Sequence, residues 1–170
     1  MIFIIGVCHL RQHGLLDNES VVNEFTVYIK SFVKERKIVV IAEESSLEYL
    51  DEKALSKTPT QVMCDSLNIK HIFADPNRNE RRILGIRGRN EIAKDLGIYR
   101  SDEKYTPDEI NKINLIAKPY DKLREKEWLK RIGGETDKQV IFVCGKDHVK
   151  TLTDLLEKSG IQTEIAKVFK

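Results

Sequence analysis

The chain has 170 residues, of which 41% are hydrophobic and 33% charged, and its 29 basic and 27 acidic side chains leave a net charge of +2. This balance argues against a disordered chain, a collagen-like repeat and a generally basic nucleic-acid-binding protein. A chain of this length forms one core by default, so residues 1–170 are predicted to form a single domain.

Three short apolar runs dominate the sequence, at 2–7, 37–42 and 139–144. They are β-branched and nearly continuous, which is typical of strands buried on both faces of a parallel sheet. Weaker strands are predicted at 69–73 and 162–168. The first run has no basic leader or small-residue cleavage site and is too short for a membrane helix, so it is predicted to be a buried strand.

Helical patterns occupy the segments between the strands. One face of the first predicted helix carries Val21, Phe25, Ile29, Phe32 and Val33. Asn18 and Ser20 are its candidate caps. Further helices are predicted at 46–55, 60–67, 90–96, 107–132 and 151–158.

The longest predicted helix has clear boundary signals. Thr106 is the expected cap, Pro119 predicts a kink or break, and Gly133-Gly134 ends the helix. The alternation of strands and helices along the chain predicts a three-layer α/β fold, with a mostly parallel central sheet and helices on both faces.

Histidines follow two of the three strongest strands. The first strand runs into Gly6 and His9, and the strand at 139–144 runs into Gly145 and His148. Because the carboxyl ends of parallel strands share one edge, where such folds bind ligands, the two histidines are expected to converge. The glycine three residues before each histidine permits a sharp turn and a close approach of the backbone to a ligand.

The strand at 37–42 delivers two carboxylates, Glu43 and Glu44. Side chains alternate along a strand, so one glutamate is expected to face the cleft while the other pairs with a cation or caps a helix; the pattern does not say which. Imidazole and carboxylate groups together hold a divalent metal or act as general acid and base near neutral pH. The alternative is that each histidine is an ordinary surface or capping residue.

The order of these motifs resembles that of the TraB/PrgY-like and Tiki-type proteins, in a wider superfamily with the erythromycin-esterase and ChaN-like proteins. In those proteins a first G-x-x-H motif follows the opening strand, and a glutamate or glutamate pair follows the next strand. An Arg-Asp/Glu motif lies on a helix before the penultimate strand, and a second G-x-x-H motif comes near the end of the chain. Over about residues 1–160, this chain matches with Gly6/His9, Glu43/Glu44, Arg124-Glu125 and Gly145/His148.

The resemblance implies a hydrolase with its active site at the carboxyl edge of the sheet. Tiki-type members resemble metal-dependent peptidases, which implies a divalent ion such as manganese or zinc; the implied ligands are His9, Glu43, Glu44 and His148. Erythromycin-esterase-like members use a histidine as general base without a metal. Arg124 is implied as the group that holds an anion or a developing oxyanion. The alternative for Arg124 is a solvated helix face with ordinary ion pairs.

The segment 71–89 is unusually rich in arginine, with residues Arg78, Arg81, Arg82, Arg87 and Arg89. The first three are candidate ligands for a phosphate or for a carboxylate-rich substrate, and Asp75 is a candidate further carboxylate of the site. The alternative interpretation of this segment is a solvated loop.

The sequence thus predicts a hydrolase that activates water at a His/Glu site, directly or through a divalent metal, to cleave an amide or ester of a small molecule or peptide. The alternative is a non-enzymatic module that senses a nucleotide or another anionic ligand through the arginines. Nucleic-acid and membrane partners are not expected, and a homo-oligomer stays open. Three cysteines without C-x-x-C spacing favour a reducing, cytoplasmic compartment.

Overall fold

The computed structural model describes residues 1–15, 19–101 and 104–169, with the side chains at 11 and 19–22 outside that description. Within these ranges five strands form one parallel sheet. The strands are β1 (Ile2–Val7), β2 (Val40–Glu43), β3 (Lys70–Phe73), β4 (Val140–Gly145) and β5 (Thr163–Val168). Helices cover both faces of this sheet, which confirms the predicted three-layer α/β class.

Helices fill the connections between the strands. They are α1 (His9–Gln12), α2 (Glu19–Arg36), α3 (Leu47–Glu52), α4 (Pro59–Leu67), α5 (Arg78–Ile83), α6 (Arg89–Asp95), α7 (Pro107–Ile132) and α8 (Val149–Lys158). Single 3₁₀ turns occupy Gly133–Glu135 and Lys146–His148. Of the two caps predicted for α2, Asn18 lies outside the described residues, and so does the side chain of Ser20.

The strand order in the sheet is β3-β2-β4-β1-β5. From β1 the chain moves outward to β2 and β3, then returns to insert β4 beside β1 and ends at β5. Parallel crossovers are right-handed, so connections that move in opposite directions lie on opposite faces of the sheet. Accordingly, α2 and α4 pack on one face, and α7 and α8 pack on the other.

Alternate residues of the central strands supply two separate cores. Phe3 and Ile41 pack with α2 and α4, whereas Ala42 and Phe142 pack with α7 and α8. Burial on both faces explains why these strands read as continuous apolar runs. The predicted helical face of α2 is confirmed for its described members, since Phe25, Ile29, Phe32 and Val33 are all buried.

The first apolar run is a strand buried along its whole length, as predicted. The second strand starts later than predicted, at Val40, because Lys37 has a positive φ of 53° that ends α2 and turns the chain. Among the described residues, no helix combines the length and the apolar character needed to cross a membrane.

The longest helix, α7, confirms its predicted boundaries and corrects one expectation. Oγ1 of Thr106 accepts a hydrogen bond from the Glu109 N–H at 3.3 Å, and the Glu109 carboxylate accepts the Thr106 N–H at 2.8 Å. A kink or break was predicted at Pro119, and the break is wrong because the helix continues through this residue. The helix is packed against other elements on both sides of Pro119. Before it, Ala117 packs against α6, and after it, Trp128 lies in the core on the α7 and α8 face of the sheet.

The arginine-rich segment is not the solvated loop of the alternative interpretation. It forms α5 and α6, and α5 begins with a capping box between Asn77 and Glu80. Short helices of this kind carry little apolar periodicity, since no residue of α5 is buried. Helix α1, which directly follows β1, was also not predicted; it is a single turn.

Candidate functional site

Three strand ends converge at the carboxyl edge of the sheet. Strand β1 leads into His9, β2 leads into Glu44, and β4 leads into His148. Nε2 of His148 lies 3.6 Å from Oε1 of Glu44, and Nε2 of His9 lies 3.8 Å from the same oxygen. The structure therefore brings together both predicted histidines and one of the two predicted glutamates, around a single carboxylate oxygen.

Glu44 is a buried carboxylate with a partner on each oxygen. Its Oε1 accepts a hydrogen bond from Arg124 Nη2 at 2.7 Å, and its Oε2 accepts one from the Gly145 N–H at 2.7 Å. Burial by itself raises the pKa of Glu44, but Arg124, His148, His9 and the Gly145 amide outweigh burial and lower the pKa to about 2. Glu44 is therefore ionised at neutral pH and held in a fixed orientation.

Arg124 connects Glu44 to a second buried carboxylate, Asp75. Nε and Nη2 of Arg124 lie 3.1 and 3.0 Å from Oδ1 of Asp75. The same Oδ1 accepts the indole N–H of Trp128 at 2.9 Å, and Oδ2 accepts a hydrogen bond from Arg81. The solvated-face alternative for Arg124 is thus wrong, because its guanidinium is buried between two carboxylates. In this arrangement Arg124 orients Glu44 and does not line the pocket.

His148 is oriented by a carboxylate on its far side. Nδ1 of His148 lies 2.8 Å from Oε1 of Glu125, which also accepts a hydrogen bond from Thr151. Glu125 accepts this hydrogen bond, so Nδ1 carries a proton, and Nε2 is directed toward the Glu44 carboxylate. Burial lowers the pKa of His148, but the Glu125 hydrogen bond and the Glu44 charge outweigh it, so the pKa is raised.

His9 is the accessible member of the site. Its side chain is 55% exposed, against 1% for Glu44. It lies beside His148 on the wall of a pocket of about 250 Å³ lined by Val7, Cys8, His9, Arg89, Gly145, Lys146, Asp147 and His148. Water or a substrate can therefore reach His9 directly and His148 through the pocket. Glu44 is buried beneath the two histidines.

Two further residues of the first helical turn fix His9 relative to Glu44. Nδ1 of His13 lies 2.8 Å from the His9 carbonyl oxygen, and Nε2 lies 3.2 Å from Oγ of Ser45. Gln12 donates to the Glu44 carbonyl at 3.1 Å. Sequence reasoning gave His13 no role, although its spacing of four residues from His9 was a signal that both could share a helical turn.

Glu43, the other predicted glutamate, lies on the opposite face of the sheet. It is buried, accepts a hydrogen bond from Thr58 Oγ1 at 2.6 Å, and lies 2.8 Å from Nε2 of His71. The structure does not bring it into the cluster around Glu44. Strand alternation separates the two carboxylates, as expected, and Glu44 is the one that faces His9 and His148.

The two motif glycines are needed for close packing, and neither has a positive φ. A Cβ on Gly6 would lie 2.5 Å from Cγ2 of Val149, the residue that begins α8. A Cβ on Gly145 would lie 3.3 Å from both Oε2 of Glu44 and Nε2 of His9. The expected sharp turn is therefore not the reason for these glycines, whereas the expected close approach of backbone is present.

The predicted anion-binding arginines lie outside the pocket wall. Arg78 pairs with Glu52, and Arg81 pairs with Asp75. Arg82 is exposed on α5. Asp75 is buried and pairs with Arg124, so it contributes to the position of Glu44 through Arg124. Of the arginine-rich segment, the described pocket lining includes Arg89 alone.

The side chains do not fit the implied divalent-ion site as they are arranged. Within residues 1–15, 19–101 and 104–169, no group of three or more His, Cys, Asp or Glu side chains is placed to hold a metal ion. Glu43 lies across the sheet, and Glu44 already accepts from a guanidinium and an amide. Metal content stays a prediction that elemental analysis tests.

No protein-family model, curated protein or solved structure matches this chain.

Proposed function

We propose that the protein is a hydrolase in which His9 and His148 activate water against an ester or amide. The observation that carries this proposal is the approach of both imidazole Nε2 atoms to Oε1 of Glu44, at 3.8 and 3.6 Å. A fixed carboxylate between two histidines stabilises positive charge on either imidazole ring. Two histidines that exchange protons with a substrate need this stabilisation, because each ring is positively charged at one stage of the reaction.

His148 is the general acid of this scheme. Its raised pKa and its contacts with Glu125 and Glu44 favour the imidazolium form. The Nε2–H proton passes to the leaving oxygen or nitrogen when the scissile bond breaks. Glu125 holds the ring in this orientation through its hydrogen bond with Nδ1, as the orienting carboxylate does in other histidine-based sites.

His9 is the general base. It is the exposed histidine at the pocket, and in its neutral form Nε2 accepts a proton from a water molecule that attacks the carbonyl carbon. The imidazolium that forms is stabilised by Glu44. Exchange with bulk water then returns His9 to the neutral form and His148 to the protonated form.

The energetic cost of the cluster favours function over a purely structural role. Ionised groups such as Glu44 and Arg124 lose hydration when they are buried, and well-packed apolar side chains of similar size would often be equally stabilising. A cluster of perturbed ionisable groups at a pocket is characteristic of catalytic sites. The order of motifs resembling TraB/PrgY-like and Tiki-type proteins agrees with a hydrolase, and family membership stays a prediction.

A hydrolysis screen over chromogenic esters, amides and short peptides tests the proposal. We expect His9→Gln to lower kcat/KM about 100-fold or more, because removal of a general acid or base costs about this much. His71→Gln is the matched control, since His71 also contacts a buried glutamate but on the other face. Absence of hydrolysis in the whole screen, or an equal loss in both variants, would overturn the proposal.

The metal-assisted form of this reaction is tested in the same preparation. We expect activity to survive chelation, because His9 and His148 act on water directly in this scheme and Glu44 is already paired with Arg124. Elemental analysis that finds a stoichiometric divalent ion, together with loss of activity on chelation, would support the metal-dependent form instead. A reducing, cytoplasmic compartment is part of the proposal and agrees with the free Cys8, Cys64 and Cys144.

The non-enzymatic alternative, a sensor of nucleotides or other anionic ligands, also stays a prediction. It assigns recognition to Arg78, Arg81 and Arg82, two of which pair with carboxylates. It predicts thermal stabilisation by nucleotides that weakens with salt and persists in His9→Gln. Stabilisation that disappears in this variant, or no response to nucleotides, would contradict it.

A further inference from the structure

The burial of Arg124 leaves the predicted anion-holding role to another residue. Arg124 is enclosed by Glu44 and Asp75, whereas Arg89 lies on the wall of the pocket that contains His9 and His148. Arg89 is the first residue of α6, far in sequence from the strand-end motifs, and no short pattern connects it with them. Its position in the pocket is a consequence of the fold.

Arg89 is held in place by the neighbouring helix α7. Its Nε donates to Oδ1 of Asn114 at 3.2 Å, and its Nη2 donates to Oδ2 of Asp121 at 3.2 Å. Asp121 also lies 3.7 Å from Nη1 of Arg124, which links the Arg89 guanidinium to the buried network. With 43% of its side chain exposed, Arg89 is oriented by the protein yet accessible to a ligand.

A second cation, Lys146, lies on the same wall directly after β4. Asp147 lies on the same wall and offsets one of the two cations, and Asp121 pairs with Arg89. His148 also lines the pocket; it is buried, with Nδ1 2.8 Å from Glu125 and Nε2 3.6 Å from Oε1 of Glu44. The wall therefore carries two cationic side chains, Arg89 and Lys146, against one acidic side chain, Asp147.

Arg89 also borders a second depression of about 180 Å³ on its other side. Tyr105, Ile110 and Ile113 supply much of its lining, so this depression offers an apolar and aromatic surface. An alkyl or aryl group that lies there would be next to Arg89, while the rest of the molecule extends toward the histidines. Arg89 is thus part of the lining of both depressions.

We propose that the substrate carries an anionic group, a carboxylate or a phosphate, that binds Arg89 and Lys146, with an alkyl or aryl group in the second depression. This inference rests on the proposed hydrolase function and names its substrate class. Charge-assisted hydrogen bonds to arginine are strong and directional, and two oxygens of a carboxylate or of a phosphate can each accept one N–H of a guanidinium.

Binding of simple anions to the full chain tests this inference without a known substrate. Inorganic phosphate, acetate and phenyl phosphate are titrated at constant ionic strength while the four histidine ring signals are followed by NMR. We expect saturable shifts of His9 and His148 and none of His71. Phenyl phosphate should bind more tightly than inorganic phosphate, and Ile110→Ser should remove that difference. Tighter binding of phosphate indicates a phosphorylated substrate, and tighter binding of acetate indicates a carboxylate.

Charge-matched variants separate a specific site from general attraction. Arg89→Gln and Lys146→Gln should each weaken binding about tenfold or more, the loss expected for one charged hydrogen bond. Arg82→Gln removes the same charge on α5, away from the pocket, and should leave affinity unchanged. No shift of His9 or His148 in the wild type, or an equal loss in Arg82→Gln, would overturn the inference.

The outcome is distinguishable from that of the hydrolase proposal. Anions that bind as expected, with no ester or amide hydrolysed, would remove the hydrolase and leave an anion-binding site. Hydrolysis of neutral esters with no anion binding would keep the hydrolase and reject the anionic substrate class.

Discussion

Nη2 of Arg124 lies 2.7 Å from Oε1 of Glu44, and both side chains are buried at the carboxyl edge of the sheet. The pair joins the middle of α7 to the exit of β2, two segments 80 residues apart in sequence. Because each charge would be left without compensation if the other were removed, the pair links the stability of the protein to the geometry of its site.

Loss of Arg124 should therefore destabilise the protein strongly. Arg124→Gln leaves the buried Glu44 carboxylate without its arginine and leaves Asp75 with Arg81 alone, which costs about 3–5 kcal/mol. Urea denaturation at neutral pH measures the free energy of unfolding. A loss below 1 kcal/mol, within the range of an exposed ion pair, would contradict the burial of this network.

The Glu44 charge should also affect how the free energy of unfolding depends on pH in acid. Its folded pKa of about 2 lies below its ordinary value of 4.5, so its contribution is present above pH 4.5 and is lost as pH falls toward 2. Glu44→Gln should flatten the dependence of unfolding free energy on pH in this window. Glu157→Gln, at an exposed site on α8, is the control. Identical slopes in all three proteins would contradict the prediction.

His148 and His13 should titrate at different pH values when their ring signals are followed by NMR. The pKa of His148 is raised above 6.5, mainly through Glu125 and Glu44 acting against burial, and the pKa of buried His13 is lowered. His148 contributes stability below pH 6.5 that is lost as pH rises through its folded pKa. Glu125→Gln should lower the pKa of His148. A His148 that titrates below His13 would contradict the site geometry.

The close packing of Gly6 should make it intolerant of a side chain. Gly6→Ala places a methyl group 2.5 Å from Val149 Cγ2 and should cost about 1–3 kcal/mol of unfolding free energy. The double variant with Val149→Ala should recover part of that loss. At Gly134 a Cβ meets no atom within 4 Å, so Gly134→Ala should be tolerated. Equal effects at both glycines would show that the clash is absent.

Trp128 is the one tryptophan of the chain and reports on Asp75. Its indole N–H donates to Asp75 Oδ1 at 2.9 Å, so Asp75→Ala should shift its fluorescence and destabilise the protein. The control is Glu52→Ala, which removes a carboxylate from the exposed pair with Arg78. Unchanged emission in Asp75→Ala would contradict the hydrogen bond.

The sequence was sufficient for the elements that depend on local signals. Continuous β-branched runs indicated β1 and β4 because both faces of these strands are buried, and the Thr106 and Pro107 signals located the start of α7. Strand alternation separated Glu43 from Glu44. Short α5 was missed because none of its residues is buried, so no apolar period marks it.

Long-range pairing could not be predicted from the sequence. In a linear sequence the charges around Arg124 and Glu125 alternate as on any solvated helix, yet both residues are buried because α7 packs its charged middle against the strand ends. The pair of His71 and Glu43 depends on the register of β3 beside β2. The place of Arg89 in the pocket depends on how α6 packs on α7.

The pH dependence of kcat/KM for the best substrate of the screen tests the central claim most directly. The profile should fall as His148 loses its proton, and this falling limb should lie above pH 6.5 because the Glu125 hydrogen bond and the Glu44 charge outweigh burial and raise the pKa of His148. Glu125→Gln should move that falling limb to lower pH. A profile without a falling limb, or one that Glu125→Gln leaves in place, would contradict the assignment of His148 as the acid.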